Sequence, residues 1–495
     1  MQRLSCLLAA ALLCGCAVGP DFRVPAPPDD AGYVPGPQPV ATVAADSTDA
    51  SAQSHAQTLA AGADVPAQWW MLFRSPELDA TIRNALDASP TLAQARARLR
   101  EAQENLAART GATRWPAVDA KLNTTRQQVD FQSLGITAIP SPGPFTLYGA
   151  TVQVSYVLDL FGGQRRELEG LQAVVDYQRY ELEAARLALA ANVATAAIRE
   201  AGLRAQLADT AAMVAAQQRQ LGITEARLRA GGVARVEVQR RRAELAQTQA
   251  LVPALQRRLD ATRHQLAVYA GQTPASATLP EFHLDALHLP DTLPLSLPAT
   301  LARRRPDIRA AEALLHQASA NIGVATANLY PQVTLSASGG TQATAARDLF
   351  SSLNVWSLAA GLVQPVFRGG ELQARKRAAE AAYEQSLAAY RQAVLQGLQD
   401  VADSLRALEA DAAALRERAD SARQARATLA VVSEQYRLGG VSQLALLDAE
   451  RQSRQAALEL AQARADRLAD SAALLQALGG GWWQEQAGAM AVAPR

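Results

Sequence analysis

The sequence predicts an α+β membrane protein written twice along one chain. Four strands per chain contribute to a β-barrel shared between copies, and long antiparallel helices pack as coiled coil. Three observations predict this. Past residue 17 there is no apolar run of about eighteen residues, so a spanning helix is excluded and any membrane crossing falls to strands. Two stretches of about 65 residues, rich in Ala, Leu, Gln, Arg and Glu, contain no proline, which is what very long helices need. A set of punctuation residues also recurs in the same order at a near-constant offset.

The 495 residues carry Lys+Arg 48 against Asp+Glu 47, a net charge of +1, which gives no electrostatic reason to expect a nucleic-acid partner. Aromatics make up only 5%, a poor supply for one large aromatic core. The 3 cysteines, Cys6, Cys14 and Cys16, all stand at the amino terminus, so the body has neither a disulfide framework nor a cysteine metal cluster.

Residues 1–15 read as a secretory signal: Arg3 near the start, an apolar stretch Leu7–Leu13, then small residues. Leu13-Cys14-Gly15-Cys16 resembles the bacterial lipobox, with Cys14 where a small residue is usual. That resemblance makes Cys16 the acylated first residue of the mature chain, a near-permanent anchor in outer-membrane lipid. Ala17, in place of an aspartate, points to the outer rather than the inner membrane. Residues 16–66, rich in Pro, Ala, Gly and Asp, show neither helical nor strand period and read as an extended tether.

The body follows as two repeats, 67–280 and 281–482, with a flexible tail over 483–495. In each, a helix (Ala93–Thr113; Ala310–Asn328) stops at an aromatic-proline pair, Trp115-Pro116 or Tyr330-Pro331, because proline disfavours helix at the preceding residue. Two strands come next, ending near Phe161-Gly162-Gly163 and Phe367-Arg368-Gly369-Gly370. Very long helices then cover about Gln164–Leu228 and Glu371–Arg437, each a rod of roughly 100 Å at about 1.5 Å per residue. Gly231-Gly232 and Gly439-Gly440 turn the chain, and return helices run over about Val236–Tyr269, with Pro253 as an expected kink, and Ser442–Leu478. The offsets are about 215, 207 and 208 residues, which points to tandem duplication.

The strands alternate. Val118, Ala120, Leu122 and Thr124 share one face, with Asp119, Lys121 and Asn123 opposite. Ala150–Leu158, Val333–Ser338 and Val355–Val366 repeat the pattern, the last less cleanly. Trp115, Tyr148, Tyr330, Trp356 and Phe367 fall near strand ends, where a membrane barrel places aromatic girdles. A soluble sheet with one wet face would alternate too. Four strands cannot close a barrel, so copies must share one. Three copies give twelve strands and twelve helical passes; the arithmetic leaves two or four open.

Several segments resemble the TolC-like outer-membrane factors, most closely their lipoprotein branch. They are Cys16-Ala17-Val18-Gly19-Pro20-Asp21-Phe22, Trp69-Trp70 with Phe73, and Leu160-Phe161-Gly162. Arg304-Arg305-Pro306-Asp307-Ile308-Arg309-Ala310-Ala311-Glu312 is the most specific. Gln364-Pro365-Val366-Phe367, Leu447-Asp448-Ala449 and Leu478-Gly479-Gly480-Gly481-Trp482 complete the set. The resemblance implies a homotrimer with a twelve-stranded outer-membrane barrel and a periplasmic α-helical tunnel. It also implies service as the passive exit duct of a tripartite efflux system, with a periplasmic adaptor and an inner-membrane RND-type pump. Type I protein secretion uses the same fold, and a lipid-anchored coiled-coil scaffold is a reading outside transport.

On the last helix Leu444, Asp448 and Arg451 are spaced i, i+4, i+7 and share a face, which by itself is a plain surface with one ion pair. The resemblance makes them the periplasmic gate. The first repeat has Val236, Arg240 and Ala243 there, so the second hairpin is expected to be the gating one. Catalysis has little support: His55, His264, His283, His288 and His316 are scattered, with no zinc or phosphate motif, and no metal or cofactor is expected.

Overall fold

The computed structural model describes residues 17–45, 54–130, 135, 138, 140, 143–351 and 355–484. The signal segment 1–15, Cys16 and residues 485–495 of the expected tail lie outside the described residues. The chain divides into two compact units. Unit 1 comprises Met1–Pro25, Arg98–Arg179 and Ala310–Tyr390; unit 2 comprises Ala26–Ala97, Tyr180–Arg309 and Arg391–Arg495.

The elements run β1 (Thr58–Ala61), α1 (Pro76–Ala88), α2 (Pro90–Arg114), β2 (Ala117–Gln127), β3 (Phe145–Leu158), α3 (Gly163–Arg229) and α4 (Arg235–Tyr269). They continue with β4 (Thr292–Leu295), α5 (Pro298–Arg304), α6 (Pro306–Ala327), β5 (Gln332–Ala343), β6 (Val355–Val363), α7 (Glu371–Arg437) and α8 (Gln443–Ala477). The long helices α3 and α7 have 67 residues each and the return helices α4 and α8 have 35 each, so the two hairpins are matched in length. Helix α4 runs on through Pro253 without a break.

In unit 1, β2, β3, β5 and β6 form one antiparallel sheet in that order. The register sorts side chains into rows. Val118, Val154, Ala337 and Leu358 pair across the sheet, and the next row on that face is Ala120, Val152, Gly339 and Trp356. Between them, on the opposite face, lies Asp119, Gln153, Ser338 and Ser357. Alternation along each strand has thus become one apolar and one polar face for the whole sheet. The apolar face lies open in the single chain: Leu122 is 76% exposed, Trp356 79% and Leu358 79%, the opposite of a soluble core. On the polar face Lys121 Nζ donates to Gln153 Oε1 at 2.9 Å, and the Ser338 and Ser357 hydroxyls are 2.8 Å apart.

Unit 2 holds the hydrophobic core. It is mostly aliphatic, with Leu78, Ile82, Ile198, Leu266, Leu301, Leu405, Leu468 and Leu475 buried around Trp69 and Phe73. Ala190, Ala191, Ala194, Ala197 and Ala201 line the buried side of α3, and such small residues let helices approach closely where a Leu heptad would hold them apart.

The Arg304–Glu312 motif has a packing role here. Pro306 opens α6, and Asp307 accepts from the Ile308 amide at 2.9 Å and from Arg305 Nε. Arg305 also donates to the carbonyls of Gly397 on α7 and Ala477 on α8, and pairs with Asp400. One guanidinium therefore fastens three helices, and the carboxylates of Asp307 and Asp400 raise its pKa against the lowering effect of burial. Trp482 Nε1 donates to the Arg304 carbonyl at 2.8 Å and Arg304 lies over the Trp483 ring, so packed chain extends into the stretch expected to be tail.

Part of the stretch expected to be tether lies against the body of unit 2. Thr58–Ala61 pairs in parallel with Thr292–Leu295, and the stretch before it folds back, Thr42 and Gln57 sharing a backbone hydrogen bond of 2.9 Å. Strands of four residues are too short to show a period. Arg467 on α8, fully buried, holds this segment through Thr42 Oγ1 and the His55 carbonyl, and with no acidic partner among the described residues its pKa is pulled down by burial to about 10.

Candidate functional site

The two helical turns are built alike. After α3 the amides of Gly231 and Gly232 donate to the carbonyls of Leu228 and Arg227; after α7 those of Gly439 and Gly440 donate to Tyr436 and Gln435. Gly231 and Gly439 sit at φ 76° and 80°, the left-handed conformation that ends a helix without a Cβ clash. The next helices start differently. Ser442 caps α8, its hydroxyl accepting from the Ala445 amide at 3.2 Å, whereas Ala234 ahead of α4 has no side chain to do so.

Just past the second turn, α8 brings Leu444, Asp448 and Arg451 onto one face, all three exposed in the single chain. Asp448 and Arg451 form an ion pair of 3.5 Å. The corresponding face of α4 carries Val236, 58% exposed, with Arg240 set 3.9 Å from Glu237. An exposed apolar residue and an acid-base pair beside a helix turn present a surface that further copies of the chain can meet.

Behind this face lies a buried ionic cluster that sequence reasoning missed. Arg241 on α4, 2% exposed, reaches Glu450 on α8 at 3.3 Å and Glu244 at 3.7 Å. Arg454 pairs with Glu450 at 3.4 Å and donates to Thr248 at 3.4 Å. Burial lowers the pKa of Arg454 and raises that of Glu244. A charged residue in an Ala-rich helix reads as a solvated one, and the only signal available was that Arg241 and Glu450 stand nearly one repeat apart. Nearer the tips, Arg227 donates to the Tyr436 hydroxyl at 2.8 Å and lies over its ring.

Among the described residues no helix is long and apolar enough to cross a membrane, and no group of three His, Cys, Asp or Glu could hold a metal ion. The sheet's open apolar face is the surface that suits lipid.

The sequence profile of the outer membrane efflux protein family matches this chain twice, over residues 81–272 and 297–480, more than half of its length. The chain belongs to that family. The pyoverdine export outer membrane protein OpmQ of Pseudomonas putida is 33% identical over 422 residues, covering 84% of this chain and 88% of its own. The toluene efflux pump outer membrane protein TtgF of the same species is 29% identical over 494 residues, covering 97% and 96%. The solved structure of the outer-membrane channel OprN superposes with a TM-score of 0.82 at 30% identity, over 94% of this chain and all of that one. The Campylobacter jejuni channel CmeC has the same fold, with a TM-score of 0.81 at 17% identity. This outer membrane efflux protein thus acts in the outer membrane as a channel component, and its relatives bear the names of transport proteins rather than enzymes.

Proposed function

We propose that this efflux protein is the passive exit duct of a tripartite RND-type pump for drugs or other small molecules. Three copies close a twelve-stranded barrel and a periplasmic helical tunnel, which meets a periplasmic adaptor and, through it, the inner-membrane pump. The observation that carries this reading is the sheet. All four strands present one continuous apolar face, while edge strands β2 and β6 each have a single neighbour. Backbone groups left bare in lipid cost several kcal/mol each, so β2 of one copy pairs with β6 of the next until the ring closes. Matched helix lengths in the two hairpins and the double match of the family profile support descent from a tandem duplication spanning residues 67–280 and 281–482.

Leu444, Asp448 and Arg451 form the periplasmic gate. Three copies of the face converge on the axis, where Leu444 makes an apolar ring and Asp448 and Arg451 make ion pairs between helices. The Gly231-Gly232 and Gly439-Gly440 turns form the tips of the tunnel. Cys16 carries the lipid anchor, with residues 1–15 removed as the signal segment. Cells that keep the pump and adaptor but lack this protein should accumulate a fluorescent pump substrate several-fold, and re-expression should restore the low level. Unchanged accumulation in the deletion strain would refute the efflux role.

A further inference from the structure

The Gly19-Pro20-Asp21-Phe22 segment resembles a family motif, yet neither the channel nor the gate uses it. In unit 1 it is fastened to the body through one side chain. Arg166, near the start of α3, has a side chain only 7% exposed. Its Nε donates to the Val18 carbonyl at 3.3 Å, and Nη2 donates to the Gly19 carbonyl at 3.5 Å and to Asp21 Oδ1 at 2.6 Å. Nη1 donates to Glu169 at 2.7 Å, whose other oxygen meets His316 Nε2 at 2.9 Å, and the His316 ring stacks on Phe22 at 4.3 Å. The Val18 amide donates to the Phe161 carbonyl at 3.0 Å, three residues past the end of β3. Room for the segment comes from glycine. A Cβ on Gly19 would lie 2.5 Å from the Gly323 Cα of α6, and one on Gly162 would lie 2.5 Å from the Ala17 Cα.

We propose that unit 1 contains a docking site for residues 17–22, centred on Arg166, which holds the root of the Cys16 acyl chains at the foot of the membrane sheet. The docking stands on the contacts above; the lipid placement rests on the acylation reading of Cys16. Ala17, the residue bonded to Cys16, lies against Gly162 just past the end of β3, where Phe161 stacks on Tyr330 at 4.7 Å. Undocked, the stretch up to Tyr33, the next residue that hydrogen-bonds to a distant part of the chain, would give the lipid roughly 55 Å of slack at about 3.4 Å per residue. Docked, anchor and sheet enter the membrane together. Arginine suits the task because its five donors in one planar fork can hold two backbone carbonyls and two carboxylates at once, one acceptor more than the three donors of an ammonium can serve.

The test is amide hydrogen exchange on the full-length lipoprotein in detergent, with the intact mass of the same sample reporting whether Cys16 is acylated. The Val18 amide should be protected in the natural protein, and Arg166→Gln should speed its exchange at least about tenfold. Gly19→Val should do the same; that change lies outside the helices and leaves the body folded if Arg166→Gln does not. Wild-type exchange at the rate of an unstructured peptide, or no change in Gly19→Val, would overturn the docking site. A protected Val18 on a chain without lipid would overturn the placement of the anchor alone.

Discussion

The two helical hairpins have the same lengths and the same glycine turns, yet they carry different chemistry. One repeat separates Val236, Arg240 and Ala243 on the first from Leu444, Asp448 and Arg451 on the second. The difference continues along the helices. Asp411, Asp466 and Asp470 of the second hairpin correspond to Leu203, Arg258 and Thr262 of the first. Burial pushes the Asp470 carboxyl up to about 7, helped by the carboxyls of Asp411 and Asp466. Length and turn geometry are common because both hairpins must stay in register along a shared wall. Charge is free to diverge in sign: residues 371–477 carry 15 Asp and Glu against 14 Lys and Arg, whereas residues 163–269 carry 11 against 16. Among the contacts that join the two, the most buried ion pair is that of Arg241 with Glu450, beside the hydrogen bonds of Arg454 to Thr248 and of Arg227 to Tyr436.

Cutting that joint should have the largest effect. Arg241→Ala removes the more buried cation that faces Glu450 and Glu244 and leaves Arg454 alone beside Glu450, and the thermal midpoint in detergent should fall by an amount equivalent to about 3 kcal/mol, the low end for a broken buried pair. The low end applies because Arg454 still pairs with Glu450, and because Arg241 Nε and Nη2 have no hydrogen-bond partner to lose among the described residues. A loss within the usual surface range would mean that the hairpins are not tied there.

The acidic trio gives a smaller effect with a definite sign. Asp470 binds its proton more tightly folded than unfolded, so it favours folding below about pH 4, and that contribution fades as the pH rises towards 7. The thermal midpoint should therefore drop between about pH 5 and about pH 8, and Asp470→Asn should flatten the drop. Equal slopes in variant and natural protein would remove the acidic trio from the comparison. Smallest of all, Arg240→Ala should change stability by less than about 0.5 kcal/mol, because its 3.9 Å contact with Glu237 is an exposed pair.

Much of this architecture was legible in the residues. Proline at 116 and 331 and the paired glycines mark where backbone geometry must change, so helix ends predicted there agree with the structure to within a few residues. The strands announced themselves by alternation, and the register then showed that all four alternate in phase. The short β1–β4 pair and the folded-back tether were not legible, because four residues carry no period and their partners lie more than 200 residues away. Buried Arg241 and Arg467 were invisible for a different reason. A charge in a helix reads as solvated until the neighbouring helix is in place. The Leu444, Asp448 and Arg451 face could be placed by spacing alone, but spacing says nothing of what it meets.

In the proposed channel, copies of this chain share one pore and the second hairpin closes it. Single-channel recording on the purified protein, after its mass has been measured in the same detergent, tests this most directly. The expected result is a trimer with a nearly silent closed state, an Asp448→Ala variant that conducts several-fold more, and an Arg240→Ala variant that behaves as the natural protein. A monomer without conductance, or an Asp448→Ala channel no more open than the natural one, would contradict it.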